Sequence, residues 1–311
     1  MLKLRRSKQL VITPIGGLGN QLFIFFSGMS IADQLKKELV IDLSNAKQPS
    51  LLELLKNPLD FEYQNIQKRH SQQKLVTKIY RKIIRSLPLS KRYYVLVTSG
   101  RYIAKDIGYD GNAWKRNNLR VLDGYFQSCL YFNDFDLNRM RDQLSLKSKL
   151  SSNQGLVDKF ATENPIVLHV RRGDYLAPEN RFFGVLDSKY YINAINTISQ
   201  NKPENIWIFS DDSDSAKALL EDQLHKNGHN LTFIDATYGL STIDEFCIMS
   251  MGQKFVIANS TFSWWAAYLA GRGALVIYPS KWFELREDPT RMHPDYWTSS
   301  ESYWKPNTLR M

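Results

Sequence analysis

Residues 165–175 read PIVLHVRRGDY, an apolar run that passes directly into charged side chains. The apolar part is short and rich in β-branched residues, which predicts a buried strand. Two adjacent arginines and an aspartate follow, where a longer strand would continue with apolar residues. Ligands of open parallel sheets bind beyond the carboxyl ends of the strands, so this junction is the first candidate for a functional site.

The same change from apolar to polar residues recurs through the second half of the chain. Strands are predicted at 165–170, 205–209, 231–234, 255–258 and 274–278. Helices are predicted between them at 188–199, 213–224 and 243–251, and from the polar cluster at 259 to residue 270. Five strands separated by helices predict a doubly wound α/β domain, with a parallel sheet and helices on both faces.

The first half opens in a related way. A predicted strand at 10–15 runs into a glycine-rich turn, Gly16-Gly17-Leu18-Gly19-Asn20. An apolar helical pattern follows over 22–32, and 39–43 is a second predicted strand. This order is the start of a βαβ unit. Residues 50–150 are less regular and more helical in pattern.

The length of 311 residues is that of about two domains. We predict that residues 1–155 form one domain and residues 156–311 the other. The two cysteines, Cys129 and Cys247, are too few for a disulfide framework or a cysteine-based zinc site. No uninterrupted apolar window of about 20 residues is present, and Pro14 and the glycines interrupt the stretch that imitates a secretion signal. The composition therefore predicts a folded protein of intracellular type.

The positive charge is concentrated in one stretch. The chain carries a formal net charge of +10, and residues 61–120 hold 14 Lys/Arg against 3 Asp/Glu. This balance predicts an anionic partner, which can be nucleic acid, lipid headgroups or a pyrophosphate-linked substrate. Within the stretch, Leu75, Ile79 and Ile83 lie on one face of a predicted basic helix. A solvated helix face is the alternative explanation.

The glycine-rich turn before the first helix is not a known phosphate loop. It lacks the Lys-Ser/Thr pair of a P-loop and the third glycine of a dinucleotide fingerprint. Gly17 and Gly19 would allow the backbone to approach a ligand at the helix N-terminus, next to Asn20. A tight turn that only leads into the helix explains the same spacing.

In the segment that follows the strand at 165–170, neighbouring side chains are expected to point to opposite sides. His169 and Arg171 are therefore predicted to share one face, with Arg172 on the other. Arg171 can offer its planar guanidinium to phosphate oxygens, while Arg172 is predicted to brace the loop through Asp174. An internal Arg–Asp salt bridge without a ligand is the alternative.

Two further polar clusters follow predicted strands. Asp211 and Asp212 can bind a divalent metal, accept hydrogen bonds from a guanine or a ribose, or cap the next helix, with Ser210 or Asp211 as the N-cap. The cluster at 259–263 offers hydroxyls and backbone N–H groups at a helix start, which suits a phosphate or plain helix capping. The tryptophan pair at 264–265 is predicted to pack in the core.

Three of these segments together resemble the α-1,2-fucosyltransferases of glycosyltransferase family 11. The segments are Gly16–Phe23, His169–Tyr175 and Asn259–Leu269, and their order and spacing also fit. The similarity runs from about residue 10 to about residue 280. Its specificity comes from the joint occurrence of the three segments.

The resemblance implies a GT-B-like fold, in which two Rossmann-like domains face a central cleft and the C-terminal half binds GDP-fucose. It also implies transfer of L-fucose with inversion at C1, without a metal ion and without a cofactor beyond the donor substrate. The negative charge of the departing GDP would then be stabilised by Arg171 and a helix N-terminus. This favours a metal-free role for Asp211 and Asp212.

The resemblance also assigns individual residues. Arg171 matches an arginine on the β-phosphate, His169 a histidine near the nucleoside, and Asp211-Asp212 an aspartate pair near the guanine. Asn20 matches an asparagine that faces the fucose and the acceptor. The predicted donor-binding set is completed by Asn259, Ser260, Thr261, Ser263, Gly17 and Gly19.

For the base that removes the acceptor proton, Asp174 is the first candidate and Glu179 the second, and the leaving phosphate can take the proton instead. The sequence lacks the N-terminal membrane anchor of animal members and resembles the bacterial enzymes, which work in the cytoplasm. Their usual acceptor is a terminal β-galactose of a lipid-linked glycan that becomes surface polysaccharide. Residues 61–120 are then expected to hold the enzyme at the inner face of the membrane, near anionic lipid or the acceptor pyrophosphate.

Three other functions fit parts of the pattern. A GT-B transferase that uses another nucleotide sugar or a non-galactose acceptor would differ in only a few loop residues. A nucleic-acid-binding protein would explain the charge of residues 61–120 but not the polar clusters, so no nucleic acid is expected as a partner. A non-catalytic sugar-binding relative is disfavoured because Asn20, Arg171 and Asp174 are all present.

Overall fold

The protein forms two compact units. One is Met1–Gln143 with Pro289–Met292, and the other is Leu144–Asp288 with His293–Met311. No feature of the sequence predicts that residues 289–292 return to the first unit. The computed structural model describes residues 8–43, 50–57, 62–63, 100–104, 107–111, 118–133, 136–146, 150, 153–177, 180 and 182–305.

The first unit is built on a parallel sheet of five strands. The strands are β1 (Gln9–Ile12), β2 (Glu38–Ile41), β3 (Glu62–Tyr63), β4 (Arg101–Ile103) and β5 (Val121–Asp123). Their order is β3-β2-β1-β5-β4, and every pairing is parallel. The helices are α1 (Leu18–Gln34), α2 (Ser50–Leu54) and α3 (Leu137–Asp142). The predicted βαβ opening is therefore confirmed.

Helix α1 is an inner element of the first unit. Leu22, Phe23, Ile24, Phe25 and Phe26 are consecutive and at most 1% exposed, so the helix is apolar on all sides and buries its circumference. Its N-cap is Gly17, which has no side chain to accept a hydrogen bond from the first turn. As in any α-helix, the N–H groups of that turn point back towards the preceding segment, here the loop that follows β1.

The second unit contains a parallel sheet of six strands. The strands are β6 (Ile166–Val170), β7 (Asn205–Ser210), β8 (Asn230–Ile234), β9 (Lys254–Val256), β10 (Leu275–Pro279) and β11 (Thr298–Ser300). Their order is β11-β10-β9-β6-β7-β8, again with every pairing parallel. The helices are α4 (Gln154–Glu163), α5 (Ser188–Ser199), α6 (Ser213–Lys226), α7 (Thr242–Met249) and α8 (Thr261–Ala270).

Every residue of β6 is buried, as the opening sequence stretch predicts. The prediction of five strands in this half is wrong by one, because β11 consists of the polar residues Thr-Ser-Ser, of which two are exposed and none is apolar. Trp264 and Trp265 are 0% exposed, which confirms that the pair packs in the core. Their helix α8 packs against α7.

The strand order reverses once in each sheet. In the second sheet the chain moves from β6 outward to β7 and β8, and then continues from β9 outward in the other direction. In the first sheet β1 is flanked on one side by β2 and β3 and on the other by β5 and β4. The loops after β6 and β9, and after β1 and β5, therefore border the crevice positions where open parallel sheets bind ligands.

Two sequence predictions concern membranes. Among the described residues, no helix combines the length and the apolar character that crossing a bilayer requires. The basic stretch 61–120, including its predicted helix with Leu75, Ile79 and Ile83, lies mostly outside the described residues.

Candidate functional site

The loops that follow β6, β7 and β9 meet at one edge of the second sheet. Arg171 Nη1 lies 3.2 Å from Asp211 Oδ2, which joins the loops after β6 and β7. The hydroxyl of Tyr175 donates to the carbonyl of Asn259 at 2.9 Å, which joins the loops after β6 and β9. The prediction that the three polar clusters share one edge is confirmed.

Arg171 is the central cation of this edge. Its Nη2 atom lies 2.6 Å from Asp174 Oδ1, and its Nη1 atom contacts Asp211. The carbon at the centre of its guanidinium lies 5.3 Å from the ring centroid of Tyr175. The side chain keeps 26% of its surface exposed, so the guanidinium is oriented by three neighbours and still reachable from solvent.

Arg172 points into the protein and does not contact Asp174 in the way the sequence predicts. It is 6% exposed, and its Nη1 atom donates to the carbonyl of Leu186 at 3.2 Å. The salt bridge with Asp174 is made by Arg171 instead, so the predicted brace through Arg172 is wrong. The reason is that Asp174 begins a short 3-10 helix, Asp174–Leu176, which turns its carboxylate towards the exposed arginine.

Asp211 fixes the loop that carries both arginines. Its Oδ1 atom accepts the backbone N–H of Arg172 at 2.9 Å, while Oδ2 pairs with Arg171. A Cβ atom at position 173 would clash with Asp211 Oδ2. A side chain at 173 would therefore push the Asp211 carboxylate away from the loop, which glycine avoids.

Asp212 is the N-cap of α6. Its Oδ1 atom accepts the backbone N–H of Ser215 at 3.0 Å, and its Oδ2 atom accepts the Ser215 hydroxyl at 2.6 Å. These hydrogen bonds from Ser215 lower the pKa of Asp212. Helix capping was one of the roles that the sequence left open for the aspartate pair, and it is confirmed for Asp212. The prediction that Ser210 or Asp211 is the N-cap is wrong. The two aspartates thus have separate tasks.

His169 is held as a neutral imidazole. It is 4% exposed, and burial, with a further contribution from the positive charge of Arg171, lowers its pKa to about 3. Its ring lies 5.9 Å from the ring of Phe262 on α8. Its buried Nδ1 atom has no hydrogen-bond partner within the described part of the chain. Among the described residues, this ring nitrogen is therefore buried without a hydrogen bond, two positions before Arg171.

The cluster at 259–263 forms the start of α8. Ser260 is its N-cap and accepts the N–H of Phe262 at 3.4 Å. The hydroxyl of Ser263 is buried and donates to the carbonyl of Ser260 at 3.2 Å, while Thr261 remains partly exposed at the first helical position. Helix capping and anion binding at the N–H groups of this turn are compatible, because capping occupies only part of them.

The amide of Asn259 packs the loops around this helix. Asn259 is 2% exposed, and its Nδ2 atom lies within hydrogen-bond distance of three carbonyls, those of Phe183 at 2.9 Å, Trp282 at 3.2 Å and Gly184 at 3.3 Å. Its predicted contact with a phosphate stays a prediction. The structure gives this residue a role in holding the loop in place.

The glycine-rich turn of the first unit is organised by amides. Gly16 has a φ of +77°, a left-handed conformation that favours glycine, and its carbonyl accepts from Gln21 Nε2 at 2.8 Å. The Oδ1 atom of Asn20 accepts from Gln127 Nε2 at 2.8 Å, which links the first turn of α1 to the loop after β5. Gly17 caps α1, and Gly19 is buried in its first turn.

Sequence reasoning missed several residues of these two edges. Gln127 gives no signal because it lies far from any motif, in a loop after a short strand. A further titratable group that no motif points to is Glu245 near the start of α7, where burial together with the nearby Asp244 raises its pKa to about 7. Tyr175 belongs to the quoted motif but has no predicted role. Glu179, the second candidate base, lies outside the described residues.

No group of three or more His, Cys, Asp or Glu side chains that could hold a metal ion occurs among the described residues. At the edge described above, the carboxylates of Asp211 and Asp212 are engaged by an arginine and a helix start.

Comparison with known proteins identifies relatives along nearly the whole chain. The sequence model described as Glycosyl transferase family 11 matches residues 111–295. The Escherichia coli O-antigen biosynthesis glycosyltransferase WbnK is 30% identical over 91% of this chain and 97% of its own. An alpha-1,2-colitosyltransferase of Escherichia coli is 25% identical, over 92% of this chain and 97% of its own. A galactoside 2-alpha-L-fucosyltransferase of Caenorhabditis elegans is 26% identical, over 84% of this chain and 69% of its own.

A solved structure supports the fold. Arabidopsis thaliana FUT1, in complex with GDP, superposes with a TM-score of 0.51 at 14% sequence identity, over 94% of this chain and 76% of the other. With one parallel sheet flanked by helices in each unit, the expectation of a GT-B-like α/β fold is confirmed.

Proposed function

This chain belongs to glycosyltransferase family 11, and we propose that it transfers L-fucose from GDP-fucose to the 2-hydroxyl of a terminal β-galactose. The proposed acceptor is a galactose-terminated, lipid-linked oligosaccharide of the surface-polysaccharide or O-antigen type. Two relatives are named for 1,2-linked transfer and a third for O-antigen biosynthesis, which supports this choice. The structural observation that carries the proposal is the reachable guanidinium of Arg171, at the point where the strand order of the second sheet reverses.

The proposed reaction inverts the configuration at the fucose C1. The acceptor oxygen bonds to C1 while the bond from C1 to the β-phosphate oxygen breaks on the opposite face, and both electrons of that bond leave with GDP. Arg171 can donate two parallel N–H bonds to the phosphate oxygens as this charge develops. The first turn of α8, with Ser260 and Thr261, adds oriented N–H groups. In this scheme no metal ion takes part.

We infer that the diphosphate replaces Asp174 on Arg171. Two carboxylates contact the guanidinium, but the Asp174 side chain is 54% exposed and that of Asp211 is 23% exposed. Asp174 can therefore turn towards solvent at little cost, because an exposed ion pair contributes little. Asp211 stays in place, since it also accepts the N–H of Arg172. The diphosphate would thus meet an arginine that is already oriented.

The displacement of Asp174 from Arg171 also frees a base for the acceptor proton. Once released from Arg171, the carboxylate of Asp174 can accept the proton of the attacking hydroxyl. Glu179 is the second candidate, and an oxygen of the leaving phosphate is the third.

The remaining predicted residues divide between donor and acceptor. The neutral ring of His169 can exchange hydrogen bonds with the nucleoside, and Asp211-Asp212 are proposed to lie near the guanine. Asn20, with the backbone at Gly17 and Gly19, is proposed to face the fucose and the acceptor.

Residues 61–120 are proposed to contact anionic lipid, and sedimentation with anionic liposomes at low but not high salt tests this contact.

A second donor follows from one of the relatives. An alpha-1,2-colitosyltransferase is 25% identical to this chain, and colitose is L-fucose without the 3-hydroxyl. A GDP-linked colitose would use the same diphosphate contacts as GDP-fucose, so the site described here can serve either donor. A non-galactose acceptor is the other alternative.

GDP release in excess EDTA tests the proposal. We expect release from GDP-fucose that lactose or Galβ1,3GalNAc stimulates, and that Arg171→Ala lowers about 100- to 1,000-fold. Arg272→Ala is the matched control, because Arg272 lies in the same unit with its guanidinium 5.7 Å from the ring of Tyr296. Loss of activity in EDTA would overturn the metal-free scheme. Release from GDP-colitose but not from GDP-fucose would replace the donor.

A further inference from the structure

Tyr175 connects the two parts of the second unit that are proposed to bind the diphosphate, Arg171 and the start of α8. Its ring lies under the guanidinium of Arg171, at 5.3 Å from the central carbon. Its hydroxyl donates to the carbonyl of Asn259, the residue that immediately precedes the N-cap of α8. One side chain therefore contacts both the arginine and the loop that starts the helix.

A second set of contacts fixes Tyr175 itself. Its ring stacks on that of Phe183, with centroids 4.6 Å apart and planes 6° from parallel. The carbonyl of Phe183 in turn accepts the side-chain amide of Asn259 at 2.9 Å. Tyr175, Phe183 and Asn259 thus form a closed triangle of three contacts. A triangle of this kind resists rotation of any one member, because each is held by the other two.

From this triangle we infer that Tyr175 is a positioning residue, which sets the distance between the guanidinium of Arg171 and the N-terminus of α8 so that both act on one diphosphate. The inference rests on the proposed function. Tyr175 itself need not touch the donor. Its effect reaches the donor through Arg171 on one side and through the Asn259 loop on the other.

The chemistry of the phenol suits this task. Burial raises the pKa of Tyr175 well above its usual range, so the hydroxyl stays protonated and remains a donor to the Asn259 carbonyl at every working pH. The ring face supplies an attractive surface for the guanidinium that does not compete for its N–H groups. Those N–H groups stay available for carboxylate or phosphate oxygens.

The test is a double-mutant cycle on GDP binding, measured by calorimetry with the 311-residue chain. We expect Tyr175→Phe, which keeps the ring and loses the hydroxyl, to raise the Kd for GDP about tenfold. Tyr175→Leu, which loses the ring as well, should raise it about 50-fold. In the Arg171→Ala background, Tyr175→Leu should raise the Kd only about tenfold, because the effect of the ring on Arg171 is gone while the effect of the hydroxyl on the Asn259 loop remains.

The matched control is Tyr131→Phe. Tyr131 is buried in the first unit, and its hydroxyl also donates to a backbone carbonyl, that of Gly108 at 3.2 Å. This variant should lower the thermal midpoint without changing the Kd for GDP. Circular dichroism verifies that each variant is folded.

The outcomes separate the inference from the proposed function. If the wild type binds GDP and Tyr175→Phe leaves both Kd and kcat unchanged, the positioning role is overturned and the proposed function stands. If Tyr175→Leu costs the same affinity with and without Arg171, the positioning role is also overturned, since a purely structural effect would be additive. If the wild type binds neither GDP nor GDP-fucose, the proposed function fails, and the positioning role fails with it.

Discussion

The two parallel sheets use different chemistry at the places where their strand order reverses. In the first unit the start of α1 and the loop after β5 are joined by neutral amides, with Asn20 accepting from Gln127 at 2.8 Å. In the second sheet the loops after β6 and β7 are joined by charges, with Arg171 and Asp211 at 3.2 Å. The same topology thus places a neutral hydrogen-bonding edge in one unit and a cationic edge in the other.

This difference matches what each edge is proposed to bind. A diphosphate needs fixed positive charge, and a guanidinium that stays oriented by Asp211 and the ring of Tyr175 provides it. A sugar hydroxyl is uncharged and can both donate and accept, so an amide suits it better than a charged group. Each edge also carries a helix N-terminus, α1 in the first unit and α8 in the second. The side chains, more than the helix dipoles, therefore distinguish the two edges.

The largest expected effect comes from removing the anchor of the charged edge. In Asp211→Ala, Arg171 loses a partner and the Arg172 N–H loses its acceptor, so we expect kcat/KM for GDP-fucose to fall about 100-fold. Steady-state GDP release measures it. If Asp211 merely competed with the diphosphate for Arg171, kcat/KM would rise instead.

The adjacent aspartate provides the control for this variant. Asp212→Ala removes the cap of α6 but no contact with Arg171, so a lower thermal midpoint with little change in kcat/KM is expected. Equal losses of activity in the two variants would show that the aspartates do not have separate tasks.

A smaller effect is expected at the neutral edge. Gln127→Leu removes the amide that holds Asn20, so we expect kcat/KM for the acceptor to fall about tenfold while the Kd for GDP changes by less than about twofold. Acceptor titrations at saturating donor, combined with calorimetry, separate the two quantities. Gln34→Leu, on the exposed end of α1, serves as the control. A matching loss of GDP affinity would contradict the division of tasks between the edges.

The smallest effect concerns pH and the second unit. Burial raises the pKa of Glu245 from 4.5 to about 7, so its protonated form is favoured in the folded protein. Ionisation of Glu245 therefore costs folding free energy. The cost is absent below the unfolded pKa of 4.5 and grows until the pH passes about 7, so the protein loses this part of its stability as the pH rises. Glu245→Gln should therefore stabilise the protein at pH 8 by about 1 to 2 kcal/mol, after a discount for partial exposure, and hardly at pH 5. Chemical denaturation at both pH values measures this, and an equal gain at both would show that the charge is not the cause.

Much of the fold is visible in the sequence because strands buried on both faces are nearly continuous apolar runs. Helix α5 is predicted over Ser188–Ser199 and found there, and β6 and β7 differ from their predictions by one residue each. Strand β11 is missed because its pairing with β10 is a tertiary contact that needs no apolar side chains. The return of residues 289–292 to the first unit is missed for the same reason.

The candidate site also has features that the sequence predicts and features that it does not. The charged edge could be located from sequence because charged residues directly after a buried strand are unusual. The arginine that pairs with Asp174 could not be predicted from sequence. The short 3-10 helix at Asp174–Leu176 brings Asp174 to Arg171, whereas the sequence predicts Arg172. Gln127 could not be found at all, because an amide in a loop has the composition of any exposed loop. The pairing of Asn20 with Gln127 spans 107 positions of the chain.

The sequence by itself determined the α/β class, most strands and helices, the family resemblance and the three segments that carry it. Those features depend on local patterns, in which hydrophobic period and adjacent polar residues are readable along the chain. Only the tertiary structure decided which side chains meet: Arg171 with Asp211, Tyr175 with the Asn259 loop, and Asn20 with Gln127. The physical reason is that parallel strands bring loops from distant parts of the chain to one edge. The sequence names the residues of each loop but not their partners across the edge.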